Sequence, residues 1–333
     1  MSTPRARIIG TGSFLPEKRM TNDELAKIVD TSEEWISSRT GILERRIAAE
    51  GEVTSDLAAA AGLKALAAAG CAPEDLDLII CATSTPDLVF PATATIVQRK
   101  IGAQKAKAPA FDIQAVCTGF VYALGIADQF VRSGMSKKVL VIGAETFSRI
   151  VDWEDRTTCI LFGDGAGAVI LDSAPGGSTQ GILSTHMHAD GSHVELLRVT
   201  GGVSHGRPEG FDWRHDALGF VDMQGNEVFK QAVKAMGSVA EEALAANGLT
   251  INDVHWFIPH QANRRILQAT AKRINLPEDR VVTTVDHHGN TSAASVPLAL
   301  DEAVRDGRIQ PNHLVLLDAF GGGFTWAAAL IRW

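Results

Sequence analysis

The sequence has few cysteines and no long apolar run, and each shortage excludes a class of protein. Only 4 of the 333 residues are cysteine and no two form a Cys-x-x-Cys pair, which argues against a zinc ribbon. No window reaches the ~18 uninterrupted apolar residues of a membrane-spanning helix. The first ten residues carry charge but no apolar segment typical of a secretory signal. We therefore expect a cytoplasmic protein with reduced thiols and no membrane partner.

The sequence also lacks an excess of positive charge. The formal net charge is -8, so a nucleic-acid partner is not expected. The remaining composition is that of a folded globular protein, with 45% hydrophobic and 21% charged residues. A chain of 333 residues has room for two compact cores.

Apolar patterning predicts helices that alternate with short buried strands along the chain. In the first half we predict helices over 54–69, 91–101 and 118–132, and strands over 76–81, 109–113, 138–142 and 166–171. In the second half we predict helices over 225–246, 262–274 and 292–305, and strands over 254–258, 281–284, 314–317 and 325–331. Such alternation predicts mainly parallel sheets covered by helices.

The two halves follow the same order of elements. Residues 70–76 align with 248–254, and the strand over 139–142 aligns with 314–317. This predicts an internal duplication with domains over 1–174 and 175–333, although ordinary α/β alternation is the alternative explanation. We interpret residues 172–225 as the link between the halves, with loops that shape a pocket.

Three loops carry side chains suited to catalysis. Cys117 lies between a predicted strand and a predicted helix, where free N–H groups and the helix dipole favour a thiolate. His260 follows a predicted strand end, where α/β folds gather active-site groups. Asn290 also lies between a strand end and a helix start. The alternatives are a buried apolar cysteine, a core or capping histidine, and a turn asparagine beside Gly289.

Two histidine pairs and a glycine run are candidate ligand sites. The pairs at 186/188 and 287/288 lack a third ligand at recognisable spacing, so we expect no metal. The glycines at 321–323 leave backbone N–H groups unobstructed by side chains. That run leads into a strand and is neither a Walker nor a dinucleotide-binding loop.

Taken together, these motifs resemble the β-ketoacyl-acyl-carrier-protein synthase III family, the initiating condensing enzymes of fatty-acid synthesis. The resemblance covers nearly the whole chain and rests on the Cys117 loop and on residues 10–16, 31–36, 39–42, 162–167, 225–230, 259–263, 288–292 and 319–323. It implies the α/β thiolase fold, with two duplicated halves, back-to-back mixed sheets covered by helices, and a homodimer.

The resemblance also implies a mechanism without a cofactor, because the CoA thioesters are substrates. Cys117 would take an acyl group from acyl-CoA, and malonyl-acyl carrier protein (ACP) would then lose CO2 while His260 and Asn290 stabilise the enolate. The backbone N–H groups of Cys117 and Gly322 would form the oxyanion hole.

By matching positions, the resemblance assigns substrate contacts. Those for CoA are Trp35, Arg39, Arg156, Asn226 and Phe229. Phe90 would reach the partner subunit's acyl pocket and Phe147 would help to close the pocket. The alternative for Trp35 is a plain surface anchor, and for Arg156 an ion-pair partner. Because Phe90 is bulky, we expect acetyl-CoA as the primer.

A basic surface is expected to bind the acidic carrier protein. The residues assigned to it are Lys230, Gln261, Arg264, Arg265, Lys272 and Arg273, with Lys234 on the same helix face as Lys230. An ordinary solvated basic face is the alternative.

Related enzymes differ at named positions. Asn290 argues against elongating synthases, which use a second histidine, and the absence of cysteine at 320–324 argues against thiolases. Two alternatives stay open. One is a condensing enzyme that uses other acyl primers, of the alkylquinolone- or olefin-forming type, and the other is a catalytically silent acyl-CoA-binding paralogue.

Overall fold

The computed structural model describes residues 5–205 and 219–333. Its strands are β1 Ala6–Phe14, β2 Arg19–Thr21, β3 Glu44–Arg46, β4 Leu78–Ala82, β5 Ala110–Ile113, β6 Val139–Glu145, β7 Gly165–Ser173, β8 Gly181–Ala189, β9 Leu197–Val199, β10 Val221–Met223, β11 Trp256–Pro259, β12 Leu314–Gly321 and β13 Thr325–Arg332. Its helices are α1 Asn22–Leu25, α2 Glu33–Thr40, α3 Thr54–Ala69, α4 Thr93–Lys100, α5 Gly119–Arg132, α6 Gly225–Ala245, α7 Arg264–Arg273, α8 Val285–His288 and α9 Ser295–Arg305. No described helix has the length and apolarity needed to cross a membrane.

Two mixed sheets repeat one strand order. The first runs β1-β7-β6-β4-β5 and the second, read in the matching direction, runs β8-β13-β12-β11. In each sheet the first three strands pair antiparallel and the next pair is parallel. The expectation of mainly parallel sheets is therefore wrong. The duplicated α/β arrangement itself is confirmed by the matching order.

Equivalent turns precede the equivalent strands β4 and β11. The backbone is left-handed at both Gly70 and Gly248, with φ +63° at each. A single 3₁₀ turn follows each glycine, over Pro73–Asp75 and Ile251–Asp253. In each turn the final aspartate accepts a hydrogen bond from the backbone N–H before the turn. This agreement of local geometry supports the sequence alignment between the halves.

Helices separate and cover the two sheets. Both α5 and α9 pack against strands of both sheets, so they form the layer between them. The helix α3 covers the outer face of the first sheet and α6 that of the second. Close packing under α3 requires glycine, because a Cβ on Gly12 would lie 2.4 Å from the backbone oxygen of Ala61. The sheets thus fix where β5, β6 and β11 end, and these ends lie at the site described below.

Several predicted elements need correction. The strand over 281–284 is wrong, since Val281 makes only one bridge, to Phe257, before the chain enters α8. Val281 thus occupies, beside β11 in the second sheet, the position that β5 occupies beside β4 in the first sheet. The segment 172–225 is more than loops, because it contains β8, β9 and β10. The polar residues of β8 obscure the alternation of apolar and polar residues that is typical of a strand. The strand β1 was not predicted.

Candidate active site

Cys117 lies in a tight turn between β5 and α5. The turn spans Val116–Thr118, and α5 begins at Gly119. Val116 has φ +48°, a conformation that costs a β-branched residue about 1–3 kcal/mol. Thr118 and Thr325 fasten the turn to β13, because the hydroxyl of Thr118 donates to the Thr325 carbonyl oxygen at 3.1 Å. Hydrogen bonding to β13 therefore holds the strained turn in place.

Burial opposes the helix start in setting the pKa of this thiol. Cys117 is only 5% exposed, and burial raises the pKa of its thiol to about 12. A hydrogen bond with Ser292 acts in the opposite direction but is the smaller effect. Burial and the helix start thus act on this thiol in opposite directions, and the expectation of a thiolate stays a prediction.

His260 follows β11 and is held as a neutral imidazole. It is 3% exposed, and burial lowers its pKa to about 3. Its Nδ1 lies 2.6 Å from the hydroxyl oxygen of Ser295, at the start of α9. The same oxygen accepts the N–H of Gln261 at 3.4 Å, which leaves the Ser295 hydroxyl free to donate to Nδ1. This arrangement favours the tautomer that carries its proton on Nε2.

The side chain of Asn290 is oriented by a backbone N–H group. Its Oδ1 accepts the N–H of Ser292 at 3.0 Å, so its amide N–H groups remain available to another partner. Asn290 is 6% exposed. The isolated bridge from Phe162 fixes its backbone beside the end of the first sheet. His260 and Asn290 can therefore both act as neutral hydrogen-bond donors.

One cavity brings the three side chains together. Cys117, His260 and Asn290 all line one pocket of about 690 Å³, a volume that includes its solvent-filled mouth. Phe147 lines it too and stacks on Phe162 with ring centroids 4.4 Å apart. Most of the other lining residues are apolar. A buried space with one thiol and two neutral donors suits a thioester or another carbonyl compound.

The glycine run passes directly behind the Cys117 turn. A Cβ on Gly321 would lie 2.9 Å from the Cys117 nitrogen, so any larger residue there would collide with the turn. A Cβ on Gly322 would lie 3.6 Å from a side-chain carbon of Val116. The backbones of the two loops therefore meet without intervening side chains, as an oxyanion hole requires.

The residues assigned to CoA lie outside the lining of this cavity. Trp35 lies beside two guanidinium groups, at 4.4 Å from Arg39 and 5.2 Å from Arg156, measured to its ring centroid. Arg156 also forms an ion pair with Asp30 at 3.6 Å. Both the CoA-binding role assigned to Arg156 and its ion-pair alternative are therefore compatible with its position. Asn226 and Phe229 lie on the first turns of α6, next to Gly225 and Val228, which line the cavity.

Phe90 projects from the protein. It is 83% exposed, and its neighbours Leu88 and Val89 are 53% and 73% exposed. Phe90 does not line the cavity of its own chain. An exposed apolar loop of this kind is typical of a protein–protein contact.

The basic residues lie on α6 and α7, with one exception among the assigned set. Lys230, Arg264, Arg265, Lys272 and Arg273 are all exposed. Gln261 is 0% exposed, and its side chain bonds to the backbone of Pro259, Val282, Thr284 and Val285. Its assignment to the carrier-protein surface is therefore wrong. The chain turns inward after His260, so sequence proximity to the basic residues was misleading.

A third residue does accompany one of the histidine pairs. Glu302 of α9 lies beside His287 and His288, and ligand atoms of the three residues are within 4.8 Å of one another. Both nitrogens of His287 already have carboxylate partners, Asp286 at 3.0 Å and Glu302 at 2.9 Å. These contacts raise the pKa of His287 to about 9. His287 is thus already paired in an ion-pair cluster with Asp286 and Glu302, whereas Nδ1 of His288 has no hydrogen-bond partner among the described residues.

Sequence reasoning missed three polar residues around the catalytic set. Ser295 and Ser292 orient His260 and Asn290, and Glu145 lies fully buried behind Ser292. Both serines follow the Asn290 motif, and Glu145 ends a buried strand. A carboxylate at the end of an otherwise apolar strand was the available signal.

Comparison with known proteins identifies relatives over the whole chain. The family model for 3-oxoacyl-[acyl-carrier-protein (ACP)] synthase III matches residues 111–191, and the model for its C-terminal part matches residues 244–333. The beta-ketoacyl-[acyl-carrier-protein] synthase III of Xanthomonas campestris pv. campestris is 61% identical over 98% of both chains.

Solved structures extend the comparison to the fold. The 3-oxoacyl-[acyl-carrier-protein] synthase III of Aquifex aeolicus is 48% identical, with a TM-score of 0.90 over 98% of this chain and 100% of that chain. The OleA protein of Xanthomonas campestris has a TM-score of 0.86 over 100% of both chains but only 20% identity, so it shows the shared fold alone. The thiolase-type α/β architecture expected from the sequence is confirmed.

Proposed function

The chain belongs to the 3-oxoacyl-[acyl-carrier-protein] synthase III family, and from this premise we propose the reaction that it catalyses. An acyl-CoA primer, with acetyl-CoA as our first candidate, condenses with malonyl-ACP. The products are a 3-oxoacyl-ACP, free CoA and CO2. The cavity that holds Cys117, His260 and Asn290 is the observation that carries this proposal.

The first half-reaction is acyl transfer to Cys117. The sulfur of Cys117 attacks the thioester carbonyl of acyl-CoA, the bond to the CoA sulfur breaks, and CoA leaves as a thiol after it gains a proton. The backbone N–H groups of Cys117 and Gly322 stabilise the oxyanion. The close contact between the two loops supports this role, because it leaves no side chain between them.

The second half-reaction is decarboxylation followed by carbon–carbon bond formation. His260 and Asn290 donate hydrogen bonds to the thioester oxygen of the malonyl group as CO2 leaves, and this stabilises the enolate. The enolate carbon attacks the acyl carbonyl on Cys117, and the Cys117 sulfur leaves and is reprotonated. The low pKa of His260 supports this scheme, because an imidazole that stays neutral does not quench the carbanion.

Substrate entry is proposed along α6. Trp35, Arg39 and Arg156 hold the CoA nucleotide, and Asn226 and Phe229 guide its pantetheine arm toward the cavity. The two guanidinium groups beside the Trp35 ring support a site for an anionic, aromatic ligand. Neither half-reaction calls for a resident cofactor, because CoA enters as a substrate.

A homodimer completes the acyl pocket in this proposal. Phe90 reaches the pocket of the partner subunit, and Phe147 closes the pocket from within its own chain. The exposure of Leu88, Val89 and Phe90 supports a covered position in the working assembly. A stable and fully active monomer in sedimentation would contradict this part.

The carrier protein is proposed to dock on the basic surface of α6 and α7. We define this docking surface as Lys230, Lys234, Arg264, Arg265, Lys272 and Arg273. The Arg265 guanidinium lies 5.9 Å from the Phe229 ring centroid, which brings the surface to the proposed pantetheine entrance. Attraction between this surface and an acidic partner would weaken as salt is added.

Two measurements test the function. Mass spectrometry after incubation with acetyl-, butyryl- and octanoyl-CoA should show one acyl group on Cys117, and the acyl-enzyme should release CO2 from malonyl-ACP. Preference for a long acyl chain would favour the alternative of a specialised condensing enzyme. Binding of acyl-CoA without acyl transfer or CO2 release would identify a silent paralogue and refute the proposal.

A further inference from the structure

The loop that carries Asn290 contains a residue in an uncommon backbone conformation. Ser292 has φ +48°, which lies in the left-handed region that residues with a side chain rarely adopt. It is 0% exposed and begins a 3₁₀ turn over Ser292–Ala294. Such a conformation persists only where the surrounding structure holds it. The neighbours of Ser292 therefore decide whether this part of the loop keeps its shape.

The conformation of Ser292 determines how the amide of Asn290 is oriented. The N–H of Ser292 donates to Oδ1 of Asn290 at 3.0 Å. The backbone of Asn290 is fixed separately, because its N–H donates to the Leu161 carbonyl oxygen at 2.8 Å and its carbonyl oxygen accepts the N–H of Gly163 at 2.9 Å. Its side-chain amide could still turn by about 180°, which would exchange the N–H donors for the oxygen. The N–H of Ser292 opposes this turn, because it attracts the oxygen and repels an amide N–H.

A buried carboxyl group holds Ser292 from its side chain. The hydroxyl of Ser292 donates to Oε1 of Glu145 at 3.1 Å. Glu145 is the last residue of β6 and is 0% exposed. A hydrogen bond to a carboxylate is roughly twice as strong as one between neutral groups. This bond ties Ser292 to the first half of the fold and opposes the return of its backbone to an ordinary conformation.

Glu145 is itself fixed by the loop that follows β4. Its oxygens accept the Thr85 hydroxyl at 2.7 Å and the Ser84 N–H at 3.1 Å. Thr85 is held in turn, because its hydroxyl oxygen accepts the N–H of Thr146 at 2.9 Å. The carboxyl group is therefore a fixed point of the first half, against which Ser292 of the second half is positioned.

We propose that Glu145 is a positioning residue for decarboxylation, which holds Ser292 in the left-handed conformation so that Asn290 presents an amide N–H to the malonyl thioester oxygen. Without this support the Asn290 amide can turn and present Oδ1, which repels the enolate oxygen instead of stabilising it. No bond to Glu145 or Ser292 forms or breaks in the reaction. This inference rests on the proposed function.

Two substitutions of Ser292 separate this role from simple packing. Ser292→Ala and Ser292→Gly both remove the hydroxyl that reaches Glu145, but glycine adopts a positive φ without a steric cost. The assay is CO2 release from malonyl-ACP in a Cys117→Ala background, where no thiol is present and acyl transfer does not contribute. Ser292→Ala should lower kcat about 10-fold with little change in KM, and Ser292→Gly should recover most of that loss. A packing role predicts the opposite order, because the glycine variant leaves the larger cavity.

A double-mutant cycle tests whether Glu145 acts through Ser292. Glu145→Gln keeps the shape of the side chain but replaces a charged acceptor with a neutral one. In the Cys117→Ala background it should slow CO2 release by about 3- to 10-fold. When Ser292→Gly is also present, Glu145→Gln should have little further effect. This cycle decides the question if Ser292→Ala does not fold.

Matched controls lie outside the lining of the cavity. Asn312 is another left-handed residue, with φ +70°, and Asn312→Ala should lower stability without changing CO2 release. Asp301 is another buried carboxyl group, and it accepts the hydroxyls of Thr11 and Ser13 at 2.6 Å each. Asp301→Asn should therefore leave CO2 release at the rate of the Cys117→Ala parent.

The possible failures are distinguishable. If Ser292→Ala and Ser292→Gly release CO2 equally fast, or if the glycine variant is slower, this inference is overturned and the proposed function stands. If Glu145→Gln slows CO2 release equally in the presence and absence of Ser292→Gly, Glu145 acts by another route and the inference is also overturned. If the Cys117→Ala parent releases no CO2 and the wild type forms no acyl-Cys117, the proposed function itself fails.

Discussion

The hydroxyl of Ser295 decides which nitrogen of His260 carries the proton, so its removal should impair decarboxylation. In Ser295→Ala, the buried Nδ1 loses its 2.6 Å partner. The N–H of Gln261 loses an acceptor as well. The imidazole is then free to move its proton to Nδ1, and in that form Nε2 no longer donates to the enolate oxygen.

The size of the effect follows from the cost of an unsatisfied buried nitrogen. A buried polar group without a partner costs about 1–3 kcal/mol, and each 1.36 kcal/mol corresponds to a tenfold change in rate. We therefore expect decarboxylation to slow by about 10- to 100-fold. This loss should be smaller than that of His260→Ala, which removes an oxyanion donor and costs ~100- to 1000-fold.

The assay compares the two half-reactions in the same variant. CO2 release from malonyl-ACP should fall in Ser295→Ala, while acyl transfer from acyl-CoA to Cys117 should be nearly unaffected. Ser148→Ala is the matched control, because it removes another buried hydroxyl with a 2.6 Å hydrogen bond, to Asp164. Ser148→Ala should lower stability without changing CO2 release. A Ser295→Ala enzyme that decarboxylates at the parent rate would refute the assignment of the tautomer.

Three further predictions address the nucleophile, the docking surface and the ion-pair cluster. Cys117→Ala should form no acyl-enzyme but should still release CO2, at a rate that does not change from about pH 5 to 8, because burial lowers the pKa of His260 to about 3. A change of rate near pH 6.5 would indicate an imidazolium donor instead. Arg265→Glu should raise the KM for malonyl-ACP and leave acyl transfer unchanged, whereas Arg280→Glu, which lies outside the docking surface, should change neither. The raised pKa of His287 stabilises the fold fully below pH 6.5, and this contribution disappears as pH rises through about 9. Denaturant unfolding of His287→Asn should therefore show a smaller loss of stability between these pH values than the wild type does, and an equal loss would contradict the assignment.

The elements of the fold that the sequence predicted well are those with strong local signals. The helix α3 has a glycine end and a buried alanine face, and both are visible in the sequence. By contrast, β8 pairs along β13 while exposing polar residues, so only its partner strand makes it recognisable. The predicted strand at 281–284 failed for the opposite reason. Its apolar run is visible in the sequence, but in the structure it forms only a single β-bridge.

For the site, the predictable residues are those with uncommon chemistry at strand ends. Cys117, His260 and Asn290 combine unusual residue types with positions between strands and helices. Ser295 and Glu145 belong to residue types with many ordinary uses, and their roles depend on neighbours that are distant in sequence. Ser292, for example, contacts a carboxyl group 147 positions away. Such contacts exist only after both halves have folded against each other.

The same burial that protects the enolate makes the nucleophile harder to ionise. A dry cavity keeps His260 neutral, so it donates a hydrogen bond without protonating the carbanion. The same dryness raises the pKa of the Cys117 thiol, which opposes formation of a thiolate. Free N–H groups at the start of α5 oppose that cost at Cys117, because the helix begins two residues after it. Neutral donors and a reactive sulfur can therefore share one dry site, since each depends on a different local group.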